Sequence, residues 1–139
     1  MSNHPFGTTI TAETIVKTVS AFTSWEERYR QVIMWGKQLP TLDESLKQDQ
    51  LLVSGCESKV WLVSEFDGEC WHFQADSDAR IVRGLIALVL AAFHHQSSEY
   101  IKNFDTKAYF EQLELVDHLS QSRGNGLRAI VETIKQVTD

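Results

Sequence analysis

Apolar side chains keep three different rhythms along this chain. They alternate with polar ones between residues 59 and 75, run almost unbroken from 79 to 94, and elsewhere recur every three or four positions. Those rhythms predict a hairpin, a buried helix and a set of amphipathic helices. The opening stretch, Met1 to Ile10, keeps none of them and reads as an extended, partly ordered arm. Thr11 is a helix-capping residue type, with Glu13 well placed in the first turn. Ile15, Val16, Val19 and Phe22 then share one helix face. Ser24 and Glu27 make a capping box. The helix it opens carries Tyr29, Val32, Ile33, Gly36 and Leu39 on one side and stops at Pro40. Trp35 and Met34 fall on another face, read as a second contact with the fold. Thr41 to Gln50 is polar and reads as a solvated connector.

The hairpin is the sharpest local signal. Lys59 to Phe66 and Glu69 to Ala75 flank Asp67-Gly68, a pair suited to a two-residue type I′ turn. That turn would oppose Phe66 to Glu69, Ser64 to Trp71, Leu62 to Phe73 and Val60 to Ala75 on a mostly apolar face. The other face, with Trp61, Val63, Glu65, Cys70, His72 and Gln74, is mixed. Leu51 to Val53 is a candidate third strand. Asp76-Ser77-Asp78 is expected to end the hairpin and cap the next helix. In that helix, Ala79 to His94, apolar residues go nearly all round, as in a core helix. Arg80 and Arg83 at its start are expected to form salt bridges with the acidic cap. Ser97 and Asp105 open two shorter helices. A last helix, from about Ser122 to Val137, aligns Leu127, Ile130, Val131, Ile134 and Val137. The expected fold is α+β, a three-stranded antiparallel sheet packed against several helices in a single domain, residues 1–139.

Composition narrows the function. With 139 residues and 42% hydrophobic content the chain is long enough for a real core. A formal charge of −6 disfavours nonspecific binding to nucleic acid, which runs on Lys and Arg. The apolar run from Leu85 to Phe93 is too short for a bilayer span of about 20 residues, so no membrane partner is expected. Met1 to Pro5 shows no signal-peptide pattern, so a cytoplasmic setting with reduced thiols is expected.

Chemistry centres on Cys56. Gly55 before it favours a loop tip, and a strand follows. From position alone such a cysteine is either a reactive group offered to a partner or an inert small hydrophobe. Cys56, Cys70, His72 and His94-His95 lack the paired spacings of zinc or iron–sulfur ligands, so no metal is expected. A cysteine hydrolase would need a histidine and an orienting carboxylate or amide in contact, and no signature brings His118 and Asp117 to Cys56. A non-catalytic interaction module, or a metal or iron–sulfur scaffold, stands as the alternative.

Ser54-Gly55-Cys56-Glu57-Ser58-Lys59-Val60-Trp61 resembles the G-C-x-S-x-V-W loop of SufE-type sulfur acceptors. Asp76 to Leu85, Asn103-Phe104-Asp105 and His118 to Leu127 are similar to further segments of that family. His4 to Thr14 and Ile33 to Pro40 look most like its CsdE branch. The resemblance implies that Cys56 takes persulfide sulfur from a cysteine desulfurase of the CsdA/SufS type and stimulates that enzyme. It implies delivery to a downstream sulfur acceptor protein, for iron–sulfur assembly or another sulfur-using pathway. The chain would be a carrier and activator rather than an enzyme turning over a small molecule by itself. It would need no cofactor of its own, the pyridoxal phosphate belonging to the desulfurase. Gly55, Glu57 and Ser58 would shape the loop, with Arg123 as candidate cationic neighbour. Cys70 lies outside the motif and reads as a passive strand residue.

Overall fold

Two helices, α2 (Trp25–Gln38) and α3 (Arg80–Phe93), cross so closely that glycine is required on both. A Cβ on Gly36 would lie 2.7 Å from the Gly84 nitrogen, and one on Gly84 would lie 2.4 Å from the Val32 oxygen. The computed structural model describes residues 4–138, and in it α3 is the centre of the molecule. From Ile81 to Phe93 every residue except Arg83 is buried, as expected of a helix apolar on all sides. Around it stand α1 (Ala12–Ser20), α4 (Ser98–Asn103), α5 (Thr106–Leu113) and α6 (Gln121–Val137). Thr11, Ser24, Ser97, Asp105 and Ser120 each cap a helix by accepting a backbone N–H with the side chain. Caps of this kind contribute about 1 kcal/mol each. The Tyr109 hydroxyl on α5 donates to the Leu88 carbonyl at 2.8 Å, inside the core.

The α+β class holds, but the sheet differs from expectation. Among the described residues it has two strands, not three: β1 (Val60–Phe66) and β2 (Trp71–Ser77), antiparallel. Leu52 forms an isolated bridge to Trp61, and the Val53 N–H donates to the Val60 carbonyl at 2.8 Å. A 3₁₀ turn at Asp49–Leu51 and the turn at Ser54-Gly55 stop that segment from extending. Beyond β2 other groups occupy the place of a strand. The Phe73 N–H donates to His94 Nδ1 at 2.9 Å, and His4 Nε2 bonds the Phe73 carbonyl at 2.9 Å. Trp71 exchanges backbone bonds with Gln96 and His95. The β2 edge is thereby occupied at Trp71 and Phe73.

The hairpin register is also corrected. Val60 pairs with Ser77, Leu62 with Ala75, Ser64 with Phe73 and Phe66 with Trp71, two positions from the expected register. The turn takes residues 67–70 because the Asp67 carboxylate accepts the amides of Glu69 and Cys70, at 2.8 and 2.7 Å. That side-chain turn displaces the two-residue alternative. A slip of two keeps each side chain on its face. Val60, Leu62, Phe73 and Ala75 therefore still face the core.

Three further expectations change. Met1–Asn3 lie outside the described residues, but the rest of the opening arm is no loose extension: His4 and Phe6 are buried, and the Pro5 carbonyl accepts the Thr9 and Ile10 amides. The connector is anchored through buried Leu42, whose N–H donates to Asp76 at 2.9 Å. Asp76 does not cap α3, whose N-cap residue, Ala79, has no side chain able to cap it. It is buried and paired with Arg83, the local salt bridge expected there.

This burial has a pH signature. Burial, helped by neighbouring His4, His72 and His95, holds His94 down at about 3, and burial also lowers His4. An unfolded histidine titrates near ~6.5. Below that pH the unfolded chain takes up protons that the fold refuses, so stability present above it is lost as pH falls. The urea midpoint is expected to drop between pH 7 and 4.5, and less steeply in His94→Asn, which keeps an acceptor for the Phe73 amide but cannot be protonated. Parallel pH profiles would show that His94 contributes nothing to the drop.

Candidate functional site

The loop before β1 is closed at its base by the Val53–Val60 backbone bond. Gly55 turns it with φ +92°, and a Cβ there would also sit 3.3 Å from the Ala129 methyl. Glycine is therefore favoured both by backbone conformation and by space. At the far end the Ser77 hydroxyl donates to the Lys59 carbonyl at 2.7 Å. Held this way, the loop lays Cys56 against the first turns of α6. Its Sγ lies 3.6 Å from the Gly126 carbonyl oxygen, placed to donate its S–H. A Cβ on Gly126 would touch Sγ at 3.6 Å, an ordinary contact, so it is the backbone carbonyl of Gly126 that meets the thiol.

The half-buried thiol is pushed above its ordinary pKa by that burial. In this position it rests as a protonated donor, not as a thiolate. Beside it opens a cavity of about 360 Å³. Val60, Val82, Leu85, Leu127 and Ile130 form its apolar side, and Glu57, Ser58, Ser120, Ser122 and Arg123 its polar side. Cys56, Glu57, Ser58 and Arg123, all singled out by sequence, thus border one space, and Gly55 shapes the loop at its edge. Arg123 is exposed and sits in the first turn of α6, its amide bonded to Ser120. The cavity can hold a group extending from Sγ, with apolar walls behind it and a cation at its border.

Other candidates fall away from this place. Cys70 sits at the hairpin turn, roughly 20 Å of strand from the Cys56 end. Both cysteines are free thiols. His72 pairs with Asp67 at 2.8 Å, and His118 stacks on Trp25 with ring centroids 4.7 Å apart. No three His, Cys, Asp or Glu side chains converge on a metal position among the described residues. Sequence reasoning misses the Gly126 carbonyl and Ser77. The signal for Gly126 is a small residue inside a helix; Ser77 has the residue type and place of a helix cap.

Residues 13–138 match the family described as "SufE: Fe-S metabolism associated domain". The chain belongs to the SufE family. The sulfur acceptor protein CsdE of Escherichia coli (strain K12) is 44% identical over 138 residues, covering 99% of this chain and 94% of that protein. This agrees with the CsdE-like segments at 4–14 and 33–40. An uncharacterized SufE-like protein of Rhizobium meliloti (strain 1021) is 43% identical over 115 residues, 80% of this chain and 82% of the relative. The solution structure of a hypothetical protein from Thermus thermophilus superposes with a TM-score of 0.74, over 91% of this chain and 92% of that one. At 12% identity it shows that this SufE family member shares its fold and no more. No helix among the described residues is long and apolar enough to cross a membrane.

Two measurements test this SufE-family site. The rate of Cys56 alkylation by iodoacetamide is expected to reach half-maximum above the ordinary thiol pKa of about 8.5. A midpoint at or below that value would mean the thiol is not held as described. Gly55→Ala is expected to cost about 1–2 kcal/mol in urea unfolding, the penalty of a left-handed backbone with a Cβ. An unchanged midpoint would remove the constraint.

Proposed function

We propose that this chain accepts persulfide sulfur from a cysteine desulfurase onto Cys56, stimulates that enzyme by draining its persulfide, and passes the sulfur to a downstream acceptor protein. The observation that carries the proposal is Cys56 itself, on a glycine-turned loop, seated on Gly126 beside a cavity. Its setting in a chain 44% identical to a sulfur acceptor protein supports the reading. In the transfer, the Cys56 thiolate attacks the outer sulfur of the donor's R–S–SH. The Cys56 Sγ–S bond forms, the donor S–S bond breaks, and the donor cysteine leaves as a thiolate. Sulfane sulfur changes owner without any net oxidant or reductant. The proton of the resting thiol must go first, and the Gly126 carbonyl is no base, so it leaves to solvent or to the partner.

The desulfurase, of the CsdA/SufS type in this proposal, brings the pyridoxal phosphate. This chain contributes the acceptor thiol and no cofactor. Arg123 at the cavity border compensates negative charge on the loaded sulfur. Glu57 and Ser58 keep the loop polar on its outer side. The reaction is placed in the cytoplasm, where thiols stay reduced.

Incubation with desulfurase and cysteine is expected to add about 32 Da, one sulfur, to the Cys56 peptide. Cys70→Ala should load like wild type and Cys56→Ser should not. Equal loading of Cys56→Ser would end the proposal, and retained desulfurase stimulation by that variant would favour a plain interaction module. Hydrogen exchange at residues 54–58 is expected to slow on adding desulfurase, since Ser54, Gly55 and Glu57 are exposed in the free protein. Identical exchange in both samples, with protection at a distant surface, would place the docking site elsewhere.

A further inference from the structure

Ser77 is the last residue of β2 and is buried. Sequence logic makes it half of an acidic helix cap. Its hydroxyl does something else. It donates to the Lys59 carbonyl at 2.7 Å and accepts the Ala79 N–H at 3.3 Å. Its own N–H donates to Asp76 Oδ1 at 2.8 Å. Asp76 in turn holds Arg83, the Leu42 amide at 2.9 Å and Lys47 at 3.5 Å. Ser77 therefore links the last carbonyl of the cysteine loop to the start of α3 and to a buried ion pair.

We infer that Ser77 is a positioning residue for Cys56, setting where the loop leaves β1 and so holding the sulfur on Gly126. The inference rests on the proposed reading of Cys56 as the sulfur-accepting group. Lys59 is three residues from Cys56 and one from β1. The Val53–Val60 bond fixes the loop's base, and the Ser77 bond fixes its exit direction. The contact to be held is a weak one, a thiol donor at 3.6 Å. A small swing at Lys59 is enough to break it. Removing the hydroxyl also leaves the Ala79 amide without this partner, at a helix start that has no other side-chain cap.

The test reads the thiol without desulfurase. Wild type, Ser77→Ala and Ser77→Thr are treated with iodoacetamide, and both cysteine peptides are followed by mass spectrometry. Ser77→Ala is expected to speed Cys56 alkylation roughly fivefold, the equivalent of one net hydrogen bond, and to leave Cys70 unchanged. Ser77→Thr keeps the hydroxyl and should restore the wild-type rate. An unchanged Cys56 rate in Ser77→Ala, or equal acceleration at both cysteines, overturns the inference. If Ser77→Ala does not fold, the unaltered chain still answers. Alkylating its Cys56 displaces the loop, and exchange at the Ala79 amide is expected to quicken, because coupling between two sites is reciprocal. Unchanged Ala79 exchange overturns the inference. Sulfur loading is then run separately. Wild type that never gains sulfur on Cys56 defeats the proposed function while leaving the alkylation result intact. A loaded wild type with an unresponsive Ser77→Ala defeats the positioning role alone.

Discussion

The backbone contact between Gly36 and Gly84 is the constraint from which the rest of the molecule follows. Gly84 lies inside α3, where glycine costs about 1 kcal/mol against alanine, and Gly36 lies in the last turn of α2, so the close approach has to return more than that cost. It does so by letting α2 and α3 pack along their length, with Val32 against the Gly84 backbone. With α2 so close, α3 becomes the centre line on which the hairpin and α6 both register. Phe73 and Ala75 of β2 and Leu127, Ile130 and Ile134 of α6 belong to the same buried cluster. Val82 and Leu85 of α3 form the apolar side of the cavity between the cysteine loop and α6. The thiol and the carbonyl it meets thus come from two elements referenced to one helix.

A hairpin of two strands is marginal alone, and this one is unevenly supported. β1 is buried at its first three residues and exposed at its last two, and β2 is most buried where it ends. The buried end is the cysteine end. There Trp61, on the face away from the main core, is covered by Lys47, whose ammonium lies 5.3 Å from the ring centroid. The same Lys47 approaches Asp76, whose carboxylate is 1% exposed. A buried carboxylate is tolerated when its desolvation is offset by charge and hydrogen bonds together. Arg83 supplies both and also donates to the Leu39 carbonyl at the end of α2. One ion pair therefore ties α2, the connector, β2 and α3 together beside the cysteine loop. The turn end, where Phe66 is half exposed, is held instead by the Asp67–His72 pair and by the backbone bonds of Trp71 to Gln96 and His95.

What could be read from sequence divides by the range of the interaction. Caps at Thr11, Ser24, Ser97 and Asp105 act over three residues, so their residue types announce them. The faces of the hairpin were legible because a period of two survives a slip of two. Turn length was not, because the Asp67 carboxylate competes with the backbone preference of Asp67-Gly68. The third strand is cut to a single bridge at Leu52 because the 3₁₀ turn at Asp49–Leu51 and the turn at Ser54-Gly55 close in on it from both sides. Asp76 looked like a local cap because its partner Leu42, 34 residues away, is invisible in a pattern. Cys56 was legible through the loop resemblance. Its contact with Gly126, 70 residues on, had no local sign.

The resting geometry bears directly on the proposed chemistry. Attack on a persulfide needs a thiolate, yet burial favours the thiol, and the Gly126 carbonyl favours it too by accepting the S–H. Both influences depend on the loop lying against α6. A displacement that brings Sγ to a partner removes the carbonyl and restores solvent or partner dipoles, so the pKa falls back toward the ordinary value of about 8.5. Exposure and activation then lie on one coordinate. Protection lies on it as well, because oxidants in solution react with the thiolate, which the resting state holds back. The loop needs no separate base to keep the sulfur quiet, and a partner that draws it out receives it already closer to ionisation. Glycine at position 55, free of a Cβ, lets the backbone change angle there without steric penalty, and the stem at Val53–Val60 keeps the motion local.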